Sequence, residues 1–214
     1  MKRELFESAL AENSALIGTI RERAHRAHHL VNQHYDHTLP YGHHLDMVAD
    51  AVIKYGHNVC DKPEEVPALL FGAYFHDSIE DARLTYNDVL KLCTTMMQPH
   101  LAVTATEIVY ALTNEKGRTR AERADERYYS GIRATPYAPF VKLADRLANI
   151  SYSASAGSHD DSKRMMAVYA GEMQHFIDSL SVAGADDIRL SIPQEMIEEI
   201  RSHLPLPSTA TDKK

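Results

Sequence analysis

VPALLFGAYFHDSIED, residues Val66 to Asp81, is the segment around which the rest of this chain has to be arranged. Its first ten residues are almost wholly apolar, and its last six carry three acids and a histidine. Read as a helix, residues 68–75 are apolar all round, the pattern of a segment buried on every side rather than of a surface stripe. Such burial carries His76, Asp77, Glu80 and Asp81 into the interior as well. With about 3.6 residues per turn, His76 stacks near Glu80 and Asp77 near Asp81 on one continuous face. Ionised carboxylates inside a protein persist only when paired, hydrogen-bonded or bound to metal. The segment therefore asks for a cation, and other parts of the chain must supply the remaining ligands.

The composition sets the frame. With 214 residues, 44% of them hydrophobic and 25% charged, the chain suits one soluble globular domain over 1–204. The polar tail at 205–214, PLPSTATDKK, is expected to be disordered. A net charge of −7 argues against nonspecific nucleic-acid binding, which needs a basic domain. An acidic protein that handles phosphate esters must instead concentrate its cations locally, through metal, Arg or Lys. Cys60 and Cys93 form no CxxC pair and no disulfide framework, which fits a reducing cytoplasm. The opening MKRELFESAL has Glu4 and Glu7 where a signal peptide needs an apolar run. No stretch approaches the roughly 18 apolar residues of a membrane span. A cytoplasmic protein with no membrane or nucleic-acid partner is expected; no sequence feature bears on its oligomeric state.

Helical periodicity dominates, and no run alternates as a strand does. Residues 3–32 read as one long helix or two shorter ones, with Leu16, Ile17, Ile20, Ala24, Ala27, Leu30 and Val31 on one buried face. A loop over 32–42 contains Pro40 and Gly42, and a helix over about 43–55 closes at Gly56. Thr85 with Asp88 three residues on predicts a capped helix over about 86–97. Pro99 opens another, ending near Gly117, and the charged stretch 118–133 is helical. A turn at 134–139 precedes a patterned helix over about 140–154, and a loop at 155–162 precedes helices over about 162–182 and 193–203. The fold class is an all-α bundle.

A His-Asp pair is weak evidence alone, since a second one, His159-Asp160, sits in a loop of no evident pattern. The first has company. YGHHLDMVADAV puts histidines at the start of the preceding helix, and KLADRLANI (142–150) sets Asp145 on an otherwise apolar face with Leu143, Leu147 and Ile150. Two imidazoles and two carboxylates from three helices suit a borderline divalent ion such as Mn²⁺, Fe²⁺ or Zn²⁺, and bundle cores are where such sites are built. The histidines His25 and His29, four apart, lack a third ligand and read as surface or packing residues, as Met165 and Met166 read as core filler.

The order H…HDxxED…LADRLxN resembles the HD-domain metal-dependent phosphohydrolases, specifically the hydrolase domain of RelA/SpoT proteins and the small alarmone hydrolases. The resemblance covers roughly residues 20–175. It rests on PYGHHLDMVA at 40–49, HDSIED at 76–81, LTNEK at 112–116, VKLADRLAN at 141–149 and Tyr169 downstream. It implies an HD-type helical bundle in which His44, rather than His43, joins His76, Asp77 and Asp145 in holding the metal, most simply Mn²⁺. It further implies that Glu80 and Asp81 orient or deprotonate the attacking water. By the same resemblance Asn149 touches the ribose or phosphate, and Tyr169 lines the nucleotide pocket. Arg120, within the run Arg118, Arg120, Arg123, Arg127, would bind the substrate's phosphates, the rest of that run being a salt-bridged surface.

The implied activity is hydrolysis of the 3′-pyrophosphate of a (p)ppGpp-like or (p)ppApp-like nucleotide by a metal-activated water. Some positions depart from the family pattern. Where it carries a basic pair before the PY element, this chain has Gln33, His34 and Tyr35, and Leu45 replaces the proline after the metal-binding histidine. A nucleotidase, a dNTP triphosphohydrolase and a non-catalytic nucleotide sensor are the alternatives.

Overall fold

The computed structural model describes residues 1–36, 38–114, 118–155 and 160–205, and the side chains at 120, 121, 160 and 161 fall outside that description. Most of the tail, 206–214, and His159 also lie outside the described residues. The helices are α1 (Arg3–Glu12), α2 (Ser14–Leu30), α3 (Gly42–Tyr55), α4 (Val66–Phe75), α5 (Tyr86–Thr94), α6 (Pro99–Leu112), α7 (Arg120–Arg123), α8 (Glu126–Ala134), α9 (Ala138–Ser155), α10 (Asp160–Leu180) and α11 (Gln194–His203). Short 3-10 turns lie at Gly56–Asn58, Pro63–Glu65 and Ile188–Leu190. The molecule is an all-α helical bundle, and none of its described helices is long and apolar enough to cross a membrane.

Every residue of α4 is buried. The helices α1, α2, α3, α6 and α9 all pack on it, so it has no solvent face to reserve for polar side chains. Leu69, Leu70, Phe71 and Phe75 are wholly inaccessible. Each such side chain contributes about 1.5–3 kcal/mol relative to an exposed position. Gly72 is dictated by the crossing with α6: a Cβ there would lie 2.6 Å from Ile108 Cγ2.

The central helix stops sooner than its sequence suggests. It ends at Phe75, and residues 76–81 continue as turns, held by Ser78 N–H to Phe75 O at 2.9 Å and Asp81 N–H to Asp77 O at 2.7 Å. His76 keeps helical backbone angles (φ −53°, ψ −35°), so it still projects as the last turn of α4 dictates. Arg83, at φ 61°, then reverses the chain toward α5. That helix opens with the expected capping box, Thr85 and Asp88 each bonding the other's backbone N–H.

Other expectations shift by small amounts for local reasons. The N-terminal stretch is two helices, and its buried stripe is Ile20, Ala24 and His28, with His28 1% exposed. Leu30 is instead 72% exposed: the 3.6-residue repeat carries the inward face through the histidine, which an apolar count passes over. The loop after α2 contains a minimal antiparallel pair, His34–Tyr35 with Leu39–Pro40, too short to leave an alternating pattern. The helix α6 ends at Leu112, not near Gly117, because Thr113 turns to extended backbone. Asp125 splits the charged stretch by capping α8 through Tyr128 N–H at 3.0 Å. Pro139 falls in the first turn of α9, where its missing N–H costs nothing.

Away from the site, Tyr137 is fully buried with φ 69° and donates to Glu65 Oε2 at 2.6 Å. Arg189 bonds the other Glu65 oxygen at 3.2 Å, and its carbonyl accepts from Tyr137 N–H at 2.7 Å. This network ties the starts of α4 and α9 to the segment before α11.

Candidate metal centre

Three helices deliver four donor groups to one point. His44 lies in the first turn of α3, His76 and Asp77 follow the C-terminus of α4, and Asp145 is in α9. His44 Nε2 stands 3.3 Å from His76 Nε2, 3.4 Å from Asp145 Oδ1 and 3.7 Å from Asp77 Oδ2. His76 Nε2 is 2.9 Å from Asp77 Oδ2 and 4.0 Å from Asp145 Oδ1. Both imidazoles are almost wholly buried, and the two carboxylates are nearly so.

The tautomer of His76 follows from its other nitrogen. Nδ1 is 2.8 Å from the Ala73 carbonyl, which can only accept, so Nδ1 carries the proton and Nε2 presents a lone pair in the neutral ring. Two facing imidazole nitrogens and two aspartate oxygens are a set of acceptors with only protons or a cation to share. Atoms that ligate one ion at about 2.0–2.2 Å stand about 3–4 Å from each other, as each aspartate oxygen does from the facing imidazole nitrogens, while the set whose atoms all lie within 4.8 Å of one another is His44, His76 and Asp145. The donor set therefore fits a divalent ion, and His44, His76 and Asp145 form a cluster of metal-ligand spacing in their own right.

The electrostatics are those of a cluster that draws positive charge to itself. Burial disfavours a charged His76, yet Asp77, with Asp145 and the Ala73 carbonyl added, outweighs it and draws the ring up to about 9. Burial also opposes ionisation of both aspartates, but His76 holds Asp77, and Lys142 holds Asp145, well below the usual carboxylate range. Burial, with the charge of Asp77 added, raises Asp81 above its ordinary value.

Around the cluster stands a shell of positioning groups. Tyr41 donates to Asp77 Oδ2 at 2.5 Å, and burial followed by the Asp77 charge keeps its phenol protonated. His28 stacks on Tyr41 with ring centres 4.5 Å apart, and burial pushes it down to about 4. Tyr35 stacks on His44 at 5.0 Å and donates to Asn149 Oδ1 at 3.0 Å. Asn149 in turn gives Nδ2 to Asp145 Oδ1 at 2.6 Å and to the Asp145 carbonyl at 3.0 Å. The amide expected to meet a ribose or phosphate is thus already engaged in holding Asp145.

A cavity of about 740 Å³ opens beside the cluster, between α8, α9 and α10. Asp145 and Asn149 form its metal-side wall, and Tyr169, Lys142 and Arg146 line it further out. Tyr169, where the sequence places a pocket residue, is 8% exposed and has the Arg146 guanidinium 4.8 Å from its ring centre. Lys142 bonds Asp145 Oδ2 at 3.1 Å. Glu80 is exposed at the cavity rim, where Asn114 clasps its carboxylate through the backbone N–H at 3.3 Å and the side-chain amide at 3.0 and 3.2 Å. Arg120 begins α7, but its side chain lies outside the described residues; Thr119 and Arg123 beside it reach the cavity wall.

So His44, His76, Asp77 and Asp145 come together, with Asp81 and Glu80 on the adjoining turn and Asn149 and Tyr169 behind and beside them. Sequence reasoning assigned no role to Lys142, Arg146, Asn114, Tyr35 or Tyr41. For Lys142 a signal existed: at three before Asp145 it shares the helix face on which Asn149, four after, was expected. The tyrosines come from or next to an irregular loop and leave no period to read. His25, unassigned to metal, is fixed by Asp46 at 2.9 Å. No protein-family model matches the chain, and no curated protein is found to match it.

Proposed function

We propose that this chain is a metal-dependent phosphohydrolase of HD type that acts on a nucleotide. The single observation behind this is the meeting of His44, His76 and Asp77 with Asp145, whose side chain also lines a cavity that offers Lys142, Arg146 and Arg123. A divalent ion such as Mn²⁺ in that donor set would supply Lewis acidity toward a phosphoryl oxygen and a water acidified to a pKa of about 7. The chain's own groups do the rest. Asp77 and Asp145 provide the negative charge that holds a dication, and Tyr41 and Asn149 fix their orientation. Glu80, steadied by Asn114, accepts the proton of the attacking water. Asp81, on the same turn and beside Asp77, helps to orient or deprotonate that water, and the departing oxygen takes up the proton so released. For a 3′-pyrophosphorylated nucleotide, oxygen attack at phosphorus breaks the bond to the ribose 3′-oxygen. Pyrophosphate and a free 3′-hydroxyl result.

A second reading concerns the substrate. The loop before α3 offers Gln33, His34 and Tyr35 in place of a basic pair, and Tyr35 is committed to Asn149 and His44. This favours a nucleotide other than guanosine tetraphosphate, with a nucleotidase or triphosphohydrolase reaction as the form it takes. A cytoplasmic setting accords with either. The test is metal analysis followed by turnover of ppGpp, ppApp, mononucleotides and dNTPs with Mn²⁺, scored by release of pyrophosphate, phosphate or triphosphate. Activity abolished in Asp77→Ala with the fold retained supports the hydrolase. Full activity in that variant, or tight binding of every nucleotide without turnover, refutes it.

A further inference from the structure

We propose that Lys142 touches the substrate: its ammonium holds an oxygen of the phosphoryl group that enters the cavity, next to the metal ligands. This inference rests on the metal-centre reading above and adds to it the group that recognises the anion.

The two oxygens of Asp145 are divided between two tasks. Oδ1 faces the imidazoles, 3.4 Å from His44 and 4.0 Å from His76, while Oδ2 binds Lys142 Nζ at 3.1 Å. The lysine side chain is only 16% exposed, lies beside the Tyr128 ring at 5.8 Å and lines the cavity. A buried ammonium needs counter-charge, and without an ion in the cluster Asp145 supplies it. A dication held by Asp77 and Asp145 would take up both carboxylate charges. The ammonium would then be left as unbalanced positive charge at the cavity wall.

The other charged groups lining the cavity do not correct this. Arg146 is already matched with Glu172 at 3.5 Å, Glu80 is turned to Asn114 at the rim, and Arg123 adds a further cation. A lysine serving only as counter-ion to Asp145 would oppose metal binding. A lysine that shares an incoming anion with the ion converts the repulsion into attraction. The anion must offer several oxygens to bridge two cations a few ångströms apart, which a phosphoryl or pyrophosphoryl group does. Tyr129, Tyr169 and Phe176 form an aromatic stretch of the same wall, where the remainder of a phosphorylated molecule finds apolar contact.

The experiment uses the full chain loaded with Mn²⁺ and inorganic pyrophosphate as the probe, with binding read by calorimetry and manganese by elemental analysis. Lys142→Met keeps the aliphatic stem and removes the charge; Lys142→Arg restores a cation. We expect pyrophosphate affinity to fall by about tenfold or more in Lys142→Met, as for a lost hydrogen bond to a charged group. Manganese content should be unchanged, and Lys142→Arg should recover most of the affinity. Affinity within twofold of wild type in Lys142→Met, no binding of pyrophosphate by the wild type, or loss of manganese in Lys142→Met would each overturn the proposal. Asp77→Ala separates the two levels. If that variant loses manganese while Lys142→Met binds pyrophosphate normally, only the role of Lys142 fails. If it keeps its manganese, the metal centre itself is wrong and the lysine proposal falls with it.

Discussion

The carboxylate of Asp145 is held from three directions, by Asn149, by Lys142 and by the facing imidazoles. Asn149 is satisfied at both ends of its amide, since Tyr35 donates to its oxygen. Asn149→Ala would therefore leave Asp145 free to rotate and Tyr35 without its acceptor. Manganese affinity should drop about 10–100-fold, the usual range for loss of a group that orients a ligand. Titration calorimetry on the folded variant checks this, and unchanged affinity would show that the α9 backbone alone positions Asp145. His28 provides a pH-dependent term. Buried against Tyr41 without a bonding partner for either ring nitrogen among the described residues, it resists protonation down to about 4. The unfolded chain takes up that proton near 6.5, so this group's contribution to stability is full at neutral pH and is lost as pH falls from about 6.5 to 4. At most about 3 kcal/mol is involved, from the size of the displacement. His28→Phe keeps the stack, and its melting temperature should fall less steeply than wild type across that window. The cluster was legible in the sequence because His44 and Asp145 sit in patterned helices and His76 and Asp77 directly follow one. Tyr35, Tyr41 and His28 were not, because a loop and a polar residue on an apolar face obey no period.

Among the helices, α4 carries most of the architecture, and its all-round hydrophobicity was legible without coordinates. Its end was not. Six polar and apolar residues, HDSIED, read equally well as another turn and a half of helix, and only the reversal at Arg83 fixes the stop. That stop is useful to the site, since the turns at 76–81 let His76 and Asp77 both face the cluster. The close packing of α6 on α4 depends on Gly72. Gly72→Ala would force its methyl against Ile108 Cγ2 and should cost about 1–3 kcal/mol, the range for overpacking. A lower urea midpoint with an unchanged slope is the expected result. At the surface, Thr85→Ala removes one half of the capping box of α5 and should cost about 1 kcal/mol. The contrast between the two is itself informative, because the first should also disturb the metal centre at the end of α4 and the second should leave metal affinity intact.

Taken as one body, the bundle is held by several long-range ties, two of which an experiment can separate. One is the Tyr137–Glu65–Arg189 network, which needs no cofactor. The other is the proposed metal centre, where α3, the turn after α4 and α9 contribute imidazoles and carboxylates that a bound cation would hold together. An ion that binds the folded chain and not the unfolded one stabilises it by mass action, about 2.7 kcal/mol when present at a hundred times its dissociation constant. The ligands are spread from His44 to Asp145, so no short unfolded segment can reproduce the site. The melting temperature should therefore climb with Mn²⁺ concentration in the wild type and stay flat in Asp77→Ala. Chelation should reverse the rise. Because the Tyr137 network is independent of the ion, Tyr137→Phe should lower the melting temperature at every Mn²⁺ concentration by the same amount. If the increment instead vanished at saturating metal, the two ties would be one cooperative unit, and the ion would be organising the whole bundle rather than a single corner of it.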